Sequence, residues 1–460
     1  MQIRTDLSAA SLKPTVERMF EYSAEKIRRI ETMWDPANGA PVFTVSGLYA
    51  ARGWTEWTQG FQYGSAILQY DATGEAEFFE SGRKNTIERM APHITHRGVH
   101  DHGFNNISTY GNLLRLMNEG RIEDNQRERE FYQLAVKCTG AVQAMRWSTT
   151  ANGFGYVYSF NGPHSLFVDT IRSMRALAAS HTLGHVLMDE NDKPVSLLDR
   201  LIHHARNTAR FSVYYGTGRD SYDQRGRTVH EAVFNCNDGN FRCPSSQQGY
   251  SPFSTWTRGL AWAMLGFAEE LEYLDTLDTE AFNAHGGKAA VIEECLEAAL
   301  ATCDFYIENT PTDGVPYWDT GAPGLVNLGD YLNKASDPYN DHEPVDSSAA
   351  AIAAQGLIRL GNYLTQKGKP DQAAAYRNAG LTVANTVFSE PYLSTDENHQ
   401  GLILHSIYHR PNGWDYVPAG SKIPYGESSM WGDYHARELG VLLLREANGK
   451  KYLTFFDGIY

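Results

Sequence analysis

The chain has 460 residues and a formal net charge of −15 at pH 7. That balance disfavours nucleic acid as a partner, because phosphate binding needs a clustered basic surface. It leaves room for a small anionic substrate, since one Arg in a closed pocket outweighs a diffuse surface charge that salt screens.

The length would serve two or three ordinary domains, but no Pro-, Gly- or Ser-rich linker separates any, so a single domain over 1–460 is expected. No apolar run approaches the length of a membrane span. Met1 to Lys13 is polar and carries no signal-peptide core, so the protein is expected in the cytoplasm, or in the periplasm if a leader was removed. It is expected to be a monomer or a weak homo-oligomer.

Helical periodicity dominates. Apolar spacing predicts helices over 14–33, 58–70, 76–91, 104–118, 126–145, 167–180, 194–211, 255–273, 285–307, 346–361, 369–387 and 429–446. Short segments between them read as small strands: Gly155 to Phe160, Val229 to Phe234 and Leu402 to Tyr408. Helix pairs recurring every 60–80 residues suggest six hairpins closing into an all-α (α/α)6 toroid around one cavity.

Polar and aromatic residues gather where helices start. Trp54-Thr-Glu-Trp-Thr-Gln-Gly-Phe precedes the second helix, and Ser254-Thr-Trp-Thr-Arg-Gly-Leu-Ala-Trp opens the eighth. Asp346-Ser-Ser-Ala opens the tenth, Ser428-Ser-Met-Trp-Gly-Asp-Tyr-His the twelfth, and Val315-Pro-Tyr-Trp-Asp follows the ninth. Ser, Thr and Asp cap helices at such places, but repeated Trp is more than capping requires. In a toroid these segments would converge as an aromatic cleft suited to sugars.

Two acids stand in unusual settings. Asp101 lies between two imidazoles in His100-Asp-His-Gly-Phe, just before a helix, and Asp169 is the only acid in the apolar run Ser165-Leu-Phe-Val-Asp-Thr-Ile. The plain reading of each is an N-cap or a buried paired acid. The alternative is a pair of carboxylates for acid/base chemistry. His100 and His102 read as orienting hydrogen-bonders, not metal ligands, and no metal or cofactor is expected. Of the five cysteines, Cys295 and Cys303 read as core, and Cys236 and Cys243 as two unlinked loop thiols.

Together, His100-Asp-His-Gly-Phe, Phe167-Val-Asp-Thr, Ser254 to Trp262, Tyr317-Trp-Asp, Asp346-Ser-Ser-Ala and Met430-Trp-Gly-Asp-Tyr resemble the unsaturated glucuronyl hydrolases of glycoside hydrolase family 88. The six motifs follow the family's order over nearly the whole chain, and the family fold is the (α/α)6 barrel. The resemblance implies Asp169 as general acid/base and Asp101 as the second essential aspartate. It further implies Trp57, His230, Gln248, Arg258, Trp262 and Trp431 around the substrate, with Phe160 where the family has a Trp. Arg258 and Trp262, four residues apart, share one helix face. The chain departs from the family at Gln59, where an Asp is common, and at Gln248, which follows another Gln. The segment from Pro424 to Met430 aligns with a loop whose serines contact sulfate or the second sugar in some members.

The implied reaction is hydration. Polysaccharide lyases leave a C4=C5 double bond conjugated to the uronate carboxylate. Protonating C4 creates an oxocarbenium ion at C5, water adds there, and the hemiketal opens and releases the neighbouring sugar. One carboxyl can donate the first proton and accept one from water if its proton affinity is raised; Asp169, with Asp101 beside it, is expected to have that property. Arg258 is expected to hold an anionic group of the sugar in a bidentate contact. The partner is therefore a small unsaturated uronate oligosaccharide; its leaving sugar is not read from the sequence.

Three rivals remain. One is an inverting glycosidase of saturated uronosides, whose two carboxylates admit a water between them. The second, an unsaturated rhamnogalacturonyl hydrolase, would typically lack an acid at Asp101. The third is a sugar-binding module or toroid isomerase, the latter needing paired histidines such as His230 and His409 on inner helices.

Overall fold

Helices carry the structure, a computed structural model that describes residues 1–53 and 56–460. Trp54 and Thr55 of the first Trp-rich motif lie outside the described residues. The principal helices are α1 (Ala9–Met33), α2 (Gln59–Thr73) and α3 (Ala76–Arg89), followed by α4, which runs as His102–Asn106, a π-helical turn Ile107–Gly111 and Asn112–Asn118. Then come α5 (Gln126–Met145), α6 in two pieces (Thr170–Ser173 and Arg175–Thr182), α7 (Leu197–Ser212), α8 (Thr257–Asp275) and α9 (Lys288–Glu308). The last three are α10 (Ser347–Gln366), α11 (Pro370–Val387) and α12 (Met430–Ala447).

The even-numbered helices form a closed inner ring. Each packs on the next from α2 to α12, and α12 returns to α2; each odd-numbered helix lies outside, against inner neighbours. This is the (α/α)6 barrel the periodicity suggested. Burial follows position: α8 and α10 are buried on nearly every face, whereas α3 buries only Phe78, Gly82 and Thr86. A helix apolar all round belongs inside, and one with a narrow stripe belongs outside. One core cluster draws residues from Ala9 to Ile459.

Polar chemistry continues inside the ring. Arg172 of α6 pairs with Glu438 of α12 at 2.8 Å and with Glu269 of α8 at 3.1 Å, and Arg359 of α10 pairs with Glu272 at 2.8 Å. Arg172, Glu269, Arg359 and Glu438 are buried, and Glu272 nearly so. Buried charges persist only when paired in this way.

Differences from the sequence reading are local. α1 begins at Ala9 and not at 14, because Ser8 and Ser11 cap each other's backbone and Pro14 falls on the exposed side. The helix expected from 167 starts as strand, since Ser165–Phe167 pairs with residues 231–233 and the helix follows only at Thr170.

Short strands fill the loops: β1 (Pro41–Val45), β2 (Leu48–Ala51), β3 (Trp147–Thr149), β4 (Gly155–Val157), β5 (Ser165–Phe167), β6 (Leu187–Asp189), β7 (Lys193–Val195), β8 (Glu231–Phe234) and β9 (Phe241–Ser245). β1 and β2 turn through Ser46 and Gly47 at φ 50° and 79°, the left-handed pair a tight hairpin demands. The strand expected at Leu402 to Tyr408 does not form. Carboxylates take the place of a partner strand: Asp433 accepts from the backbone of Leu402 and Ile403, Asp346 from Ile407, and Asp415 from Tyr408 and His409.

Candidate active site

The inner helices start at one end of the ring, and the predicted site residues lie there. Trp57 precedes α2, Asp101 precedes α4, Asp169 precedes α6, and Arg258 is the second residue of α8. Isolated bridges stitch the connecting loops, with Trp256 on Asp319, Tyr317 on Val345 and Phe43 on Ser429, each just before an inner helix. Together they wall a cavity of about 490 Å³. Trp57, Asp101, Phe160, Asp169, Arg258 and Trp262 all line it, as does Gln248. Positive ends of helix dipoles converge on this end and favour an anionic ligand.

Neither acid caps its helix. The side chains of Asp101 and Asp169 make no capping hydrogen bond, although each occupies the capping position. They turn instead toward His100. Its Nε2 lies 3.1 Å from Asp169 Oδ2 and 3.8 Å from Asp101 Oδ1. Burial pushes Asp101 up, and the nearby Asp169 charge adds to that against the pull of His100. For Asp169 burial also pushes up, but the His100 hydrogen bond and the charges of His100 and His230 prevail and hold it below its ordinary value. This corrects the expectation of a raised Asp169. His100 moves the other way: burial disfavours its charge, the two carboxylates favour it, and its pKa is raised.

The loop that presents Asp101 is rigidly held. The carbonyl of His100 accepts from Ser173 Oγ at 2.7 Å and from Gln143 Nε2 at 2.9 Å, and Gly103 donates its N–H to the same Ser173 hydroxyl. Gly103 is required there, because a Cβ would run into the Ser173 carbonyl. His102 points away, bonded to Thr139 Oγ1 at 2.7 Å and to the His96 carbonyl, and burial keeps it neutral with a pKa of about 3. Among the described residues, His100, Asp101 and Asp169 are the three groups that could hold a cation, their ligand atoms lying within 4.8 Å of one another. Nε2 of His100 is already committed to Asp169.

His230 stands behind Asp169, not in the wall. Its Nδ1 accepts the Gln247 N–H at 3.0 Å, so Nε2 carries the hydrogen and faces Asp169 Oδ1 at 3.8 Å. Burial lowers its pKa to about 4. His409 lines the cavity and is likewise held near 4 by burial. Neither histidine lies on an inner helix, which removes the isomerase arrangement.

Arg258 reaches the wall but not as a free clamp. Nη2 donates to Gln248 Oε1 and to the Tyr408 carbonyl, each at 2.8 Å; Nη1 donates to the Ile407 carbonyl and lies 3.4 Å from Asp346. Its guanidinium also sits over the rings of Trp256 and Trp431. Four of its five N–H bonds are thus used by the protein, and the expected bidentate sugar contact is corrected to a tether of the 407–415 loop.

Trp431 is a further correction. It is fully buried, donates Nε1 to Ser348 Oγ, and stacks behind Trp57 with centroids 5.1 Å apart. It positions the aromatic wall without lining it. Ser428 and Ser429 are also buried, bonded to the Ile403 carbonyl and to the Gly432 N–H, and Gln59 bonds Gln62; none lines the cavity. The wall residues sequence reasoning missed include Phe104, Trp256, Tyr408, Asn412 and Trp414. Three of them belong to Tyr408-His-Arg-Pro-Asn-Gly-Trp-Asp, whose aromatic and turn residues were a usable signal. All five cysteines are free, with Cys295 and Cys303 buried and Cys236 and Cys243 exposed, as expected.

No family model matches the chain. An unsaturated glucuronyl hydrolase of Formosa agariphila is 25% identical over 83% of this chain and 78% of its own length. One from Bacillus sp. strain GL1 is 26% identical over 88% and 91%. The solved structure of unsaturated glucuronyl hydrolase from Bacillus sp. GL1 superposes with a TM-score of 0.68 at 21% identity, covering 93% of this chain and 95% of that one. A mutant of the Streptococcus agalactiae enzyme, solved in complex with dGlcA-GalNAc6S, superposes at 0.63 with 20% identity, over 96% and 93%. The resemblance to the unsaturated glucuronyl hydrolases carried by the six motifs therefore holds over most of the chain and in its (α/α)6 fold.

Proposed function

We propose that the protein hydrolyses unsaturated (4-deoxy-4,5-ene) glucuronyl oligosaccharides by protonating C4 and hydrating C5. The observation that carries this reading is the His100, Asp101 and Asp169 cluster at the base of an aromatic cavity. In the free enzyme the shared proton rests on His100, which is pushed up, and Asp169 is the carboxylate. Moving that proton across the 3.1 Å bond turns Asp169 into the acid that protonates C4. Asp169, a carboxylate again, then takes a proton from the water adding at C5. Asp101, with its raised proton affinity, hydrogen-bonds sugar hydroxyls beside it. Trp57, Phe160 and Trp262 offer ring faces to the sugar.

Carboxylate spacing separates this reading from an inverting glycosidase. Such enzymes hold their carboxyl groups roughly 6.5–9.5 Å apart to admit a water, whereas oxygens of Asp101 and Asp169 approach within 4.8 Å. The acid at position 101 also supports the glucuronyl over the rhamnogalacturonyl reading. The names of the relatives agree, as does the unsaturated disaccharide in the streptococcal structure. The test is a panel of lyase-generated disaccharides followed by the loss of enoate ultraviolet absorbance. Absorbance loss with sugar release is expected; release from saturated glucuronides without it would overturn the proposal.

A further inference from the structure

A second cavity, of about 670 Å³, opens among α1, α2 and α3, with Met430 and Arg437 of α12 at its inner wall. It is larger than the catalytic one and shares none of its lining residues. Arg437 is 1% exposed. Its Nε donates to Ser23 Oγ at 2.7 Å and its Nη1 to Ser65 Oγ at 3.1 Å, while Nη2 has no partner among the described residues. Ser65, which accepts from Nη1, lines the cavity as Arg437 does.

The contrast with the other fully buried arginines is the decisive point. Arg172, Arg258 and Arg359 each lie within 4 Å of a carboxylate. Arg437 is in no ion pair among the described residues; its partners are two neutral hydroxyls. Burial lowers its pKa, with Asp433 opposing from beyond ion-pair distance. Asp433 compensates that charge only at a distance, being bonded to Tyr49 and to the backbone of Leu402 and Ile403, so the buried guanidinium favours a further anion.

The remaining lining resembles a sugar site more than a bare anion site. Tyr63 and Gln62 bring a hydroxyl and an amide and Trp34 an indole ring, while Ser81 is bonded to Glu31 and Asn85 to Ser81 and Arg89. Lys84 and Arg89 stand exposed on α3, and Arg83 is tied to Glu128. Glu31 and Glu80 also line the space; burial raises Glu31, which reduces its negative charge.

We propose that this cavity binds a small sugar acid, with the carboxylate on Arg437 and Ser65 and the hydroxylated ring along Tyr63, Gln62 and Trp34. The assignment does not depend on the reaction in the catalytic cavity. The test is isothermal titration calorimetry with D-glucuronate, D-glucose and inorganic phosphate, together with crystals soaked in D-glucuronate. Glucuronate is expected to fill a site that Arg437→Met abolishes and the surface variant Lys84→Glu/Arg89→Glu weakens roughly tenfold. Glucose and phosphate are expected to bind there at least tenfold more weakly. The surface variant leaves the core untouched and keeps the test valid should Arg437→Met fail to fold. Equal binding of phosphate would make this a simple anion site and overturn the sugar-acid assignment. No glucuronate density between α1, α2 and α3 would overturn the site itself.

Discussion

Nε2 of His100 bonds Oδ2 of Asp169 at 3.1 Å inside a buried cluster, and this contact gives Asp169 the lower proton affinity of the two acids. Without it, burial would raise Asp169 as it raises Asp101. Asp169→Asn is expected to cut turnover by roughly 10²–10⁴-fold or more, with far-ultraviolet circular dichroism unchanged. A rate within about tenfold of wild type, on any substrate showing enoate loss, would remove Asp169 from the proton transfer.

His100→Gln should move the alkaline limb of the kcat/KM profile to lower pH, because the proton that Asp169 delivers is then no longer stored on His100, whose pKa is raised. Stability should follow linkage. Asp169 is depressed, so its contribution is present above its ordinary value of 3.8 and is lost as pH falls through the lower folded value. His100 is raised, so its contribution is complete below 6.5 and is lost as pH rises through the higher folded value. The stability gap between wild type and His100→Gln should therefore be widest between about pH 4 and 6.5. Urea denaturation across that range measures it, and a gap flat with pH would mean the pair is not ionic.

Gly103→Ala tests whether the Asp101 loop is held to sub-ångström tolerance. The added methyl meets the Ser173 carbonyl, so α4 must shift from α6 and carry Asp101 and the His100 carbonyl with it. A cost of about 1–3 kcal/mol is expected from overpacking, with a larger loss in kcat than in KM. A variant of wild-type activity would show the loop to be more tolerant than its hydrogen bonds suggest.

The twelve helices and both acids were legible because each depends on local pattern. Apolar spacing marked the ring, and isolation in an apolar run marked Asp169. What failed depended on partners distant in the chain. His100 lies 69 residues before Asp169, so the sign of the Asp169 shift was hidden. Leu402 to Tyr408 is a short, largely apolar run that reads as a strand, yet the N–H groups of Leu402, Ile403, Ile407 and Tyr408 are taken by Asp433, Asp346 and Asp415. Trp431 looked like a cavity residue because it starts an inner helix, but Trp57 stacks in front of it.

Arg258 offers a test of wall against ligand contact. Its donors hold Gln248 and the carbonyls of Ile407 and Tyr408, and its charge faces Asp346, which is itself fully buried. Arg258→Met removes the charge at nearly constant volume and leaves Asp346 without its cation. Breaking such a pair costs about 3–5 kcal/mol, so the urea midpoint should fall clearly while the denaturant slope stays constant. Catalysis should suffer through the loop that carries Tyr408, His409 and Trp414, as a raised KM. Arg258→Lys keeps the charge without the planar fork and should recover part of the stability but little of the affinity. If Arg258→Met raised KM with stability within about 1 kcal/mol of wild type, the guanidinium would be a direct sugar ligand, and the tether to 407–415 would be incidental.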